Sequence, residues 1–341
     1  MTLPTLLPSP LGKTTDELLS ILLHEEYGTL PAFPHTVTAT VTKEEKNFCA
    51  GKAVFYHMML HCKAEWGEFS FPFRYVCPKT GGSPVPAFLH INFRPDVPDR
   101  YQPTEEIVDE GFAVVSFCYK DVTSDDGDFE NGLAGVVYQD GKRSETDCGK
   151  IGLWAWAAVA LMDYLTTCPE IDKTRVSVIG HSRLGKTALL VGALDDRFFS
   201  AISNDSGCSG AALSRGKVGE SIRKITDRFP YWFCERYLRY ADREEDQPFD
   251  QHFLLAANAA HRVYVASAKN DLWADPKSEF LSCVAASEYF ERMGKTGLIA
   301  PDRFPEIGEA FHGGNIGYHL RAGEHYLSRE DWKHYFAFLK K

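Results

Sequence analysis

Residues 175–190 read Arg-Val-Ser-Val-Ile-Gly-His-Ser-Arg-Leu-Gly-Lys-Thr-Ala-Leu-Leu. An apolar run ends at Gly180 and a helix-forming stretch begins at about Leu184, so the segment predicts a strand, a sharp turn and a helix. Ser182 lies in the turn. Small residues permit such a turn to expose a serine oxygen above a sheet edge, and the helix behind it presents free N–H groups to a developing oxyanion. The segment therefore predicts a nucleophilic serine on an α/β sheet.

The same stretch also matches a phosphate-binding loop. Residues Gly180 to Gly185, followed by Lys186 and Thr187, fit the Gly-x4-Gly-Lys-Thr pattern between a strand and a helix. In that alternative, Lys186 would bind phosphate and Thr187 would bind Mg²⁺. Three bulky residues occupy the loop where the backbone must wrap closely around phosphate, which disfavours this alternative. A nucleotide-binding protein nevertheless stays open as a second class of function.

The residues downstream favour the serine nucleophile. In α/β-hydrolases the nucleophile is followed along the chain by an acid and then by a histidine. Residues 263–268 predict a strand with Asp271 in the loop beyond it, and residues 315–321 predict the next strand. His325 lies in the turn between that strand and a C-terminal helix. We therefore predict that Ser182 is the nucleophile and His325 its general base.

The rest of the chain predicts an α/β-hydrolase three-layer sandwich. Alternating apolar and polar residues predict antiparallel strands in the N-terminal part, at residues 36–42, 53–60 and 69–76. Short continuous apolar runs follow, as expected of buried parallel strands, at residues 85–93, 112–117, 176–180 and 263–268. We predict one domain over residues 1–341 with a mainly parallel sheet. Residues 1–35 form its helical and extended lead-in, with a short amphipathic helix from Thr15 to Glu25.

Composition excludes several classes of protein. Apolar residues make up 44% of the 341 residues and charged residues 25%, which is typical of a globular domain. The net charge of -10 and the lack of a basic block predict neither a nucleic-acid partner nor a membrane partner, and we expect a monomer. No signal peptide is recognisable, which predicts a cytoplasmic protein, or a secreted or periplasmic one if a leader has been removed. Nine scattered cysteines without a CxxC pair predict reduced thiols and no zinc site.

Several ordered motifs resemble one esterase family. The residues Gly180-His-Ser-Arg-Leu-Gly-Lys186 are similar to the Gly-Cys-Ser-Arg-x-Gly-Lys signature of glucuronoyl esterases, carbohydrate esterase family 15. The likeness covers roughly residues 85 to 335. It also includes Asp205-Ser-Gly-Cys-Ser-Gly-Ala211, Tyr231-Trp-Phe233, Pro248-Phe-Asp-Gln-His252, Asp271-Leu-Trp273 and His325.

The resemblance implies an activity and leaves rivals open. It implies a serine esterase that cleaves esters of (4-O-methyl-)glucuronic acid, as in xylan–lignin links of lignocellulose, through an acyl-enzyme and without a metal or cofactor. The substrate would be a glucuronate ester or a glucuronoxylan oligosaccharide. A deacetylase of acetyl xylan or of another carbohydrate is the alternative within the hydrolases. An inactive carbohydrate-binding relative is a further alternative, beside the nucleotide-binding protein.

The resemblance also assigns residues to roles. Two acids compete for the bond to His325: Asp205, where the family has its glutamate, and Asp271, which follows a strand as in the fold at large. We lean to Asp205. By the same resemblance Arg183 joins its backbone N–H in the oxyanion site, and Lys186 and Trp273 bind the sugar.

Two departures from the family pattern stand out. Fungal members are expected to place cysteines before the nucleophile and after the histidine, whereas this chain has His181 and Tyr326 there, which indicates a bacterial branch. The glutamine and glutamate with which family members contact the uronate have no clear counterpart in this sequence. Phe229 stands where the glutamate is expected.

Overall fold

The computed structural model describes residues 2–341, apart from the side chain of Gln139. Its strands all belong to one ten-stranded sheet. They are β1 Thr36–Phe48, β2 Ala53–Ala64, β3 Gly67–Pro78, β4 Val85–Asn92, β5 Ala113–Cys118, β6 Ile171–His181, β7 Ser200–Asn204, β8 Arg262–Ala268, β9 Ala310–Phe311 and β10 Ile316–Arg321.

The strand order is β1-β2-β3-β5-β4-β6-β7-β8-β10-β9. Strands β1 to β3 form antiparallel hairpins, and β3 joins the remainder of the sheet through an antiparallel pairing with β5. From β5 to β10 every pairing is parallel. The burial of the strands follows the same division, since β2 alternates along its length while β5 and β7 are buried throughout. The predicted mainly parallel sheet with antiparallel N-terminal strands is confirmed.

The helices connect the strands. They are α1 Thr15–Leu22, α2 Thr104–Asp109, α3 Tyr119–Val122, α4 Gly132–Val137, α5 Lys150–Leu165, α6 Arg183–Leu194, α7 Ile222–Arg228, α8 His252–Ala257, α9 Pro276–Arg292 and α10 Arg329–Leu339. A π-turn over Leu23–Tyr27 extends α1, so the predicted helix from Thr15 to Glu25 is regular α-helix only as far as Leu22. Among the helices of residues 2–341, none combines the length and the apolar character needed to cross a bilayer.

Helices cover both faces of the sheet. One hydrophobic core contains side chains of α1, α5, α6, α8 and α9, and α5 is buried on nearly all sides, including Trp154 and Trp156. A second core packs α2 and α10 on the other face, with Trp332 and Tyr335 at its centre. All nine cysteines are free thiols, eight of them buried. Helix, sheet and helix therefore form the three layers that the sequence predicts, and the parallel strands end together at one edge.

Candidate active site

Ser182 lies in a strained turn between β6 and α6. Its backbone has φ 58° and ψ -126°, outside the regions that L-residues usually adopt. Its N–H donates to the carbonyl oxygen of Asn204 on β7 at 2.8 Å, which fixes the turn above the sheet. A Cβ at Gly180 would collide with the carbonyl group of Leu184, so only glycine fits there. The predicted strand, turn and helix are thus present, and Ser182 is placed by local backbone geometry.

His325 bonds to Asp271. Its Nδ1 lies 2.6 Å from Oδ2 of Asp271, in the loop that follows β8, and the N–H of Ala274 donates to the other carboxylate oxygen at 3.2 Å. Burial alone would raise the pKa of Asp271, but the bond and the nearby charge of His325 outweigh it, so the pKa lies below its usual value. An ionised Asp271 keeps the Nδ1 proton on His325 and leaves Nε2 free to accept one.

Asp205 occupies the neighbouring position and has other partners. Its carboxylate accepts from the N–H of Ala268 at 2.8 Å, from Nη2 of Arg321 at 3.0 Å and from the N–H of Tyr326 at 3.3 Å. Burial raises its pKa well above the usual value, against the lowering effect of Arg321. The bond to His325 therefore comes from Asp271, and Asp205 braces the loop that carries His325.

The two acids and the histidine form one compact group. One ligand-type atom from each of Asp205, Asp271 and His325 lies within 4.8 Å of the other two, a spacing at which three such groups could also bind a metal ion. His325 Nδ1 and the Asp271 carboxylate already share a hydrogen bond, which is the arrangement that proton transfer requires.

Asp125, which the sequence analysis missed, and Trp232 of the Tyr231-Trp-Phe233 motif hold Arg183 beside Ser182. The Arg183 guanidinium pairs with the buried Asp125, and the other oxygen of that carboxylate accepts from Nε1 of Trp232 at 2.7 Å. The guanidinium carbon lies 4.7 Å from the centre of the Trp232 ring. Phe229 stacks on the same indole with ring centres 3.8 Å apart, so it belongs to an aromatic wall. Arg183 thereby presents a positive charge next to Ser182.

Glu220 is a further missed residue, and it joins Lys186 with Trp273. Its carboxylate accepts from Nε1 of Trp273 at 3.0 Å and lies 3.6 Å from the ammonium of Lys186. That ammonium is buried and also donates to the carbonyl oxygens of Ser206 and Cys208. The Lys186 ammonium is thus buried among two carbonyl oxygens that accept its hydrogen bonds and a carboxylate that pairs with its charge, which removes support for the phosphate-binding alternative.

These side chains line one cavity of about 290 Å³. Ser182, Arg183 and His325 lie on its wall, as do both acids and the group formed by Lys186, Glu220 and Trp273. Every residue that the sequence analysis proposed for the site is therefore brought together at the carboxyl ends of the parallel strands. The spacing ahead of the Tyr-Trp-Phe motif pointed to Phe229, but Glu220 lies eleven residues before Tyr231 and carried no recognisable signal.

His181 packs against the ring of His325. The ring centres are 4.4 Å apart, and His181 Nδ1 lies 2.6 Å from Oδ1 of Asn204, whose Nδ2 donates to Tyr335. Burial, followed by the charge of His325, lowers the pKa of His181 to about 3, so this ring is neutral. Aromatic contacts between His181 and Tyr101 complete the packing on this side of His325.

Comparisons with known proteins agree on one family. The sequence profile described as "Glucuronyl esterase, fungi" matches residues 61–294. Carbohydrate esterase MZ0003, from an unknown prokaryotic organism, is 41% identical over 239 residues, which are 69% of this chain and 54% of that protein. The 4-O-methyl-glucuronoyl methylesterase of Hypocrea jecorina (strain QM6a) is 26% identical over 288 residues, covering 82% of this chain and 57% of that protein. The chain thus spans about half the length of these curated relatives.

A solved structure matches the whole chain. The glucuronoyl esterase from Solibacter usitatus superposes with a TM-score of 0.89 at 32% identity, and the match covers 100% of this chain and 97% of that one. The profile match and the likeness in structure over the whole chain lead to the same assignment. The chain belongs to the glucuronoyl esterases, carbohydrate esterase family 15.

Proposed function

We propose that this chain hydrolyses esters of glucuronic acid through an acyl-enzyme on Ser182. The observation that carries the proposal is the bond between His325 and Asp271 in the cavity that also contains Ser182. A neutral His325 with its proton on Nδ1 accepts the Ser182 proton on Nε2 as the hydroxyl attacks the ester carbonyl carbon. The ionised Asp271 stabilises the resulting imidazolium.

Arg183 stabilises the negative charge that develops on the oxyanion. Its backbone N–H opens helix α6, where no carbonyl oxygen of the preceding turn is available to it, and its guanidinium is held nearby by Asp125. Donors fixed before the reaction stabilise the tetrahedral intermediate without reorganisation, at about 3 kcal/mol for each donor. The imidazolium of His325 then protonates the departing alcohol. Water, activated by the neutral His325, releases the glucuronate and restores Ser182.

Glu220, Trp273 and Lys186 form the proposed sugar site. A carboxylate accepts hydrogen bonds from sugar hydroxyls, and the half-exposed Trp273 ring offers an apolar face to a pyranose. Lys186 fixes the Glu220 carboxylate from the buried side. This group takes the place of the family's glutamine and glutamate, whose counterparts the sequence analysis did not find. A relative named 4-O-methyl-glucuronoyl methylesterase supports the choice of a uronate ester.

The test compares the native protein with Ser182→Ala on methyl and benzyl glucuronate. We expect hydrolysis by the native protein and its loss in the variant. Acetylated xylan and 4-nitrophenyl acetate serve as parallel substrates. Turnover of the acetyl esters alone would contradict the uronate assignment and favour a deacetylase. A native protein that hydrolyses none of these esters and does not react with a fluorophosphonate would overturn the esterase mechanism and leave a carbohydrate-binding role.

A further inference from the structure

The loop that carries His325 has little secondary structure or packing of its own. Residues 322–326 follow strand β10, form neither helix nor strand, and are all exposed. His325 is nevertheless held with its Nδ1 2.6 Å from Asp271 and its ring centre 4.4 Å from that of His181. Exposed loop residues with few buried contacts are ordinarily mobile, so a histidine placed this closely needs a support on the buried side of the loop.

Arg321, the last residue of β10, provides that support. Its side chain is buried, and its two terminal nitrogens donate to backbone carbonyl oxygens of the loop. Nη1 donates to the carbonyl oxygen of Ala322 at 2.9 Å and to that of Glu324 at 3.1 Å, and Nη2 donates to that of Tyr326. The carbonyl groups on both sides of His325 are thus bound by one guanidinium, whose planar shape keeps its donors in fixed directions.

Two buried carboxylates hold the guanidinium in turn. Its Nε donates to both oxygens of Asp331 at 2.9 Å, and its Nη2 donates to Asp205 at 3.0 Å. Asp331 lies in the first turn of α10 and also accepts from the N–H of Ser328 at 2.6 Å and from Nε2 of His319 at 2.9 Å. Burial alone would raise the pKa of Asp331, but these bonds and the charge of Arg321 lower it to about 2, so the carboxylate is ionised. The support of the loop is therefore anchored to helix α10.

The loop that carries Asp271 binds the same backbone. The N–H of Lys269 donates to the carbonyl oxygen of Arg321 at 2.9 Å, and the N–H of Asn270 donates to that of Gly323 at 2.9 Å. Together with the guanidinium, these bonds fix one loop relative to the other. The distance between the histidine ring and the carboxylate of Asp271 therefore depends on the shape of the histidine's loop.

We propose that Arg321 is a positioning residue for ester hydrolysis, and that its guanidinium keeps the loop in the shape that holds His325 on Asp271. The inference rests on the proposed function. Arg321 is absent from the wall of the cavity that contains Ser182, so it acts on the reaction through the histidine and not on the substrate. A displacement of a reacting group by about 1 Å is enough to slow an enzyme roughly 100-fold.

The experiment compares Arg321→Lys with Arg215→Lys in the hydrolysis of methyl glucuronate. Lysine keeps a positive charge beside Asp331, but its single nitrogen cannot replace a planar fork that spans several carbonyl oxygens. Arg215 is the matched control, because it is also buried, pairs with Asp250 at 3.1 Å and donates to three backbone carbonyl oxygens of another segment. Those carbonyl oxygens belong to Glu245, Gln247 and Phe249.

We expect Arg321→Lys to lower kcat by about 100-fold and to keep KM within about twofold of the native value, because the sugar site is unchanged. Arg215→Lys should lower the midpoint of urea unfolding to a similar extent and retain the native kcat. Each rate is normalised to the folded fraction measured by circular dichroism. An unchanged kcat in Arg321→Lys, or equal losses of kcat in the two lysine variants, would overturn the inference and leave the esterase activity standing.

A second variant, Arg321→Ala, separates position from stability. Alanine leaves space in which an added guanidinium ion can bind between Asp331 and the loop. We expect about 10 mM guanidinium chloride to raise kcat of this variant about fivefold, and ammonium chloride at the same concentration to leave it unchanged, because only the planar ion reproduces the paired donors. An equal response to the two salts would count against Arg321 as a positioning residue. Failure of the native protein to hydrolyse methyl glucuronate would instead overturn the proposed function and this inference with it.

Discussion

Replacing Asp271 with asparagine tests the assignment of the catalytic acid most directly. The change keeps the size of the side chain but removes the charge 2.6 Å from Nδ1 of His325. At that distance and an effective dielectric constant of about 20, two unit charges attract by roughly 6 kcal/mol, an upper bound for the imidazolium formed during catalysis. The asparagine dipole recovers part of this energy, so we expect kcat to fall by about 10³- to 10⁴-fold.

Asp205→Asn is the matched control, since it changes a neighbouring buried carboxylate. Arg321 keeps its two contacts with Asp331, both at 2.9 Å, so no arginine charge is left without a partner. We expect Asp205→Asn to lower the free energy of unfolding by about 1–3 kcal/mol, because bonds to the His325 loop are lost. Asp205→Asn should lower kcat by no more than about 30-fold. That is the effect expected of a residue that holds the His325 loop in position but does not stabilise the imidazolium directly.

The assay is steady-state hydrolysis of methyl glucuronate, with urea unfolding of each variant to measure the stability. Ser182→Ala sets the background rate. A loss of turnover in Asp205→Asn as large as that in Asp271→Asn, at unchanged stability, would refute the assignment. Small and equal losses in both variants would show that neither carboxylate supports His325.

Three further outcomes are expected. His181→Ala should lower kcat by about tenfold because the ring that packs 4.4 Å from His325 is removed, and His181→Phe should restore most of the rate in the same kinetic assay. Arg183→Ala should lower kcat by about 10²-fold with little change in stability, since one oxyanion donor is lost; a rate unchanged from native would contradict that role. Burial lowers the pKa values of His312 and His334 to about 4. Between pH 6.5 and pH 4 these two histidines therefore bind protons in the unfolded chain but not in the folded chain. The free energy of unfolding should fall by a few kcal/mol as the pH drops through this range. Urea unfolding at pH 7 and pH 4.5 measures this loss, which should shrink in His312→Phe.

Local patterns predicted the elements that position Ser182. Strand β6, the turn at Ser182 and helix α6 follow from the order of apolar, small and helix-forming residues over a short segment. The change from alternating to continuous apolar runs predicted where antiparallel strands give way to parallel ones, because a strand covered on both faces cannot keep a polar side. The position of His325 followed from chain order, since the last strand and helix were recognisable.

The identity of the acid could not be predicted in the same way. Asp205 follows β7 and Asp271 follows β8, and parallel strands bring both to the same sheet edge. Position along the chain is therefore equally consistent with either aspartate as the partner of His325. The resemblance to the family favoured Asp205. Only the direction of the two side chains distinguishes them, and the turn after β8 directs Asp271 at the ring of His325.

The chain's own sequence thus determined the class of fold and led to the predicted nucleophile and base, because those inferences depend on periodicity and on order along the chain. The tertiary structure decided which side chains surround them. Asp125 reaches Arg183 from 58 residues earlier, and Glu220 reaches Trp273 from 53 residues earlier. Both carboxylates lie on irregular loops, where no hydrophobic period marks a residue's direction, so their partners are determined by how the loops pack over the sheet edge.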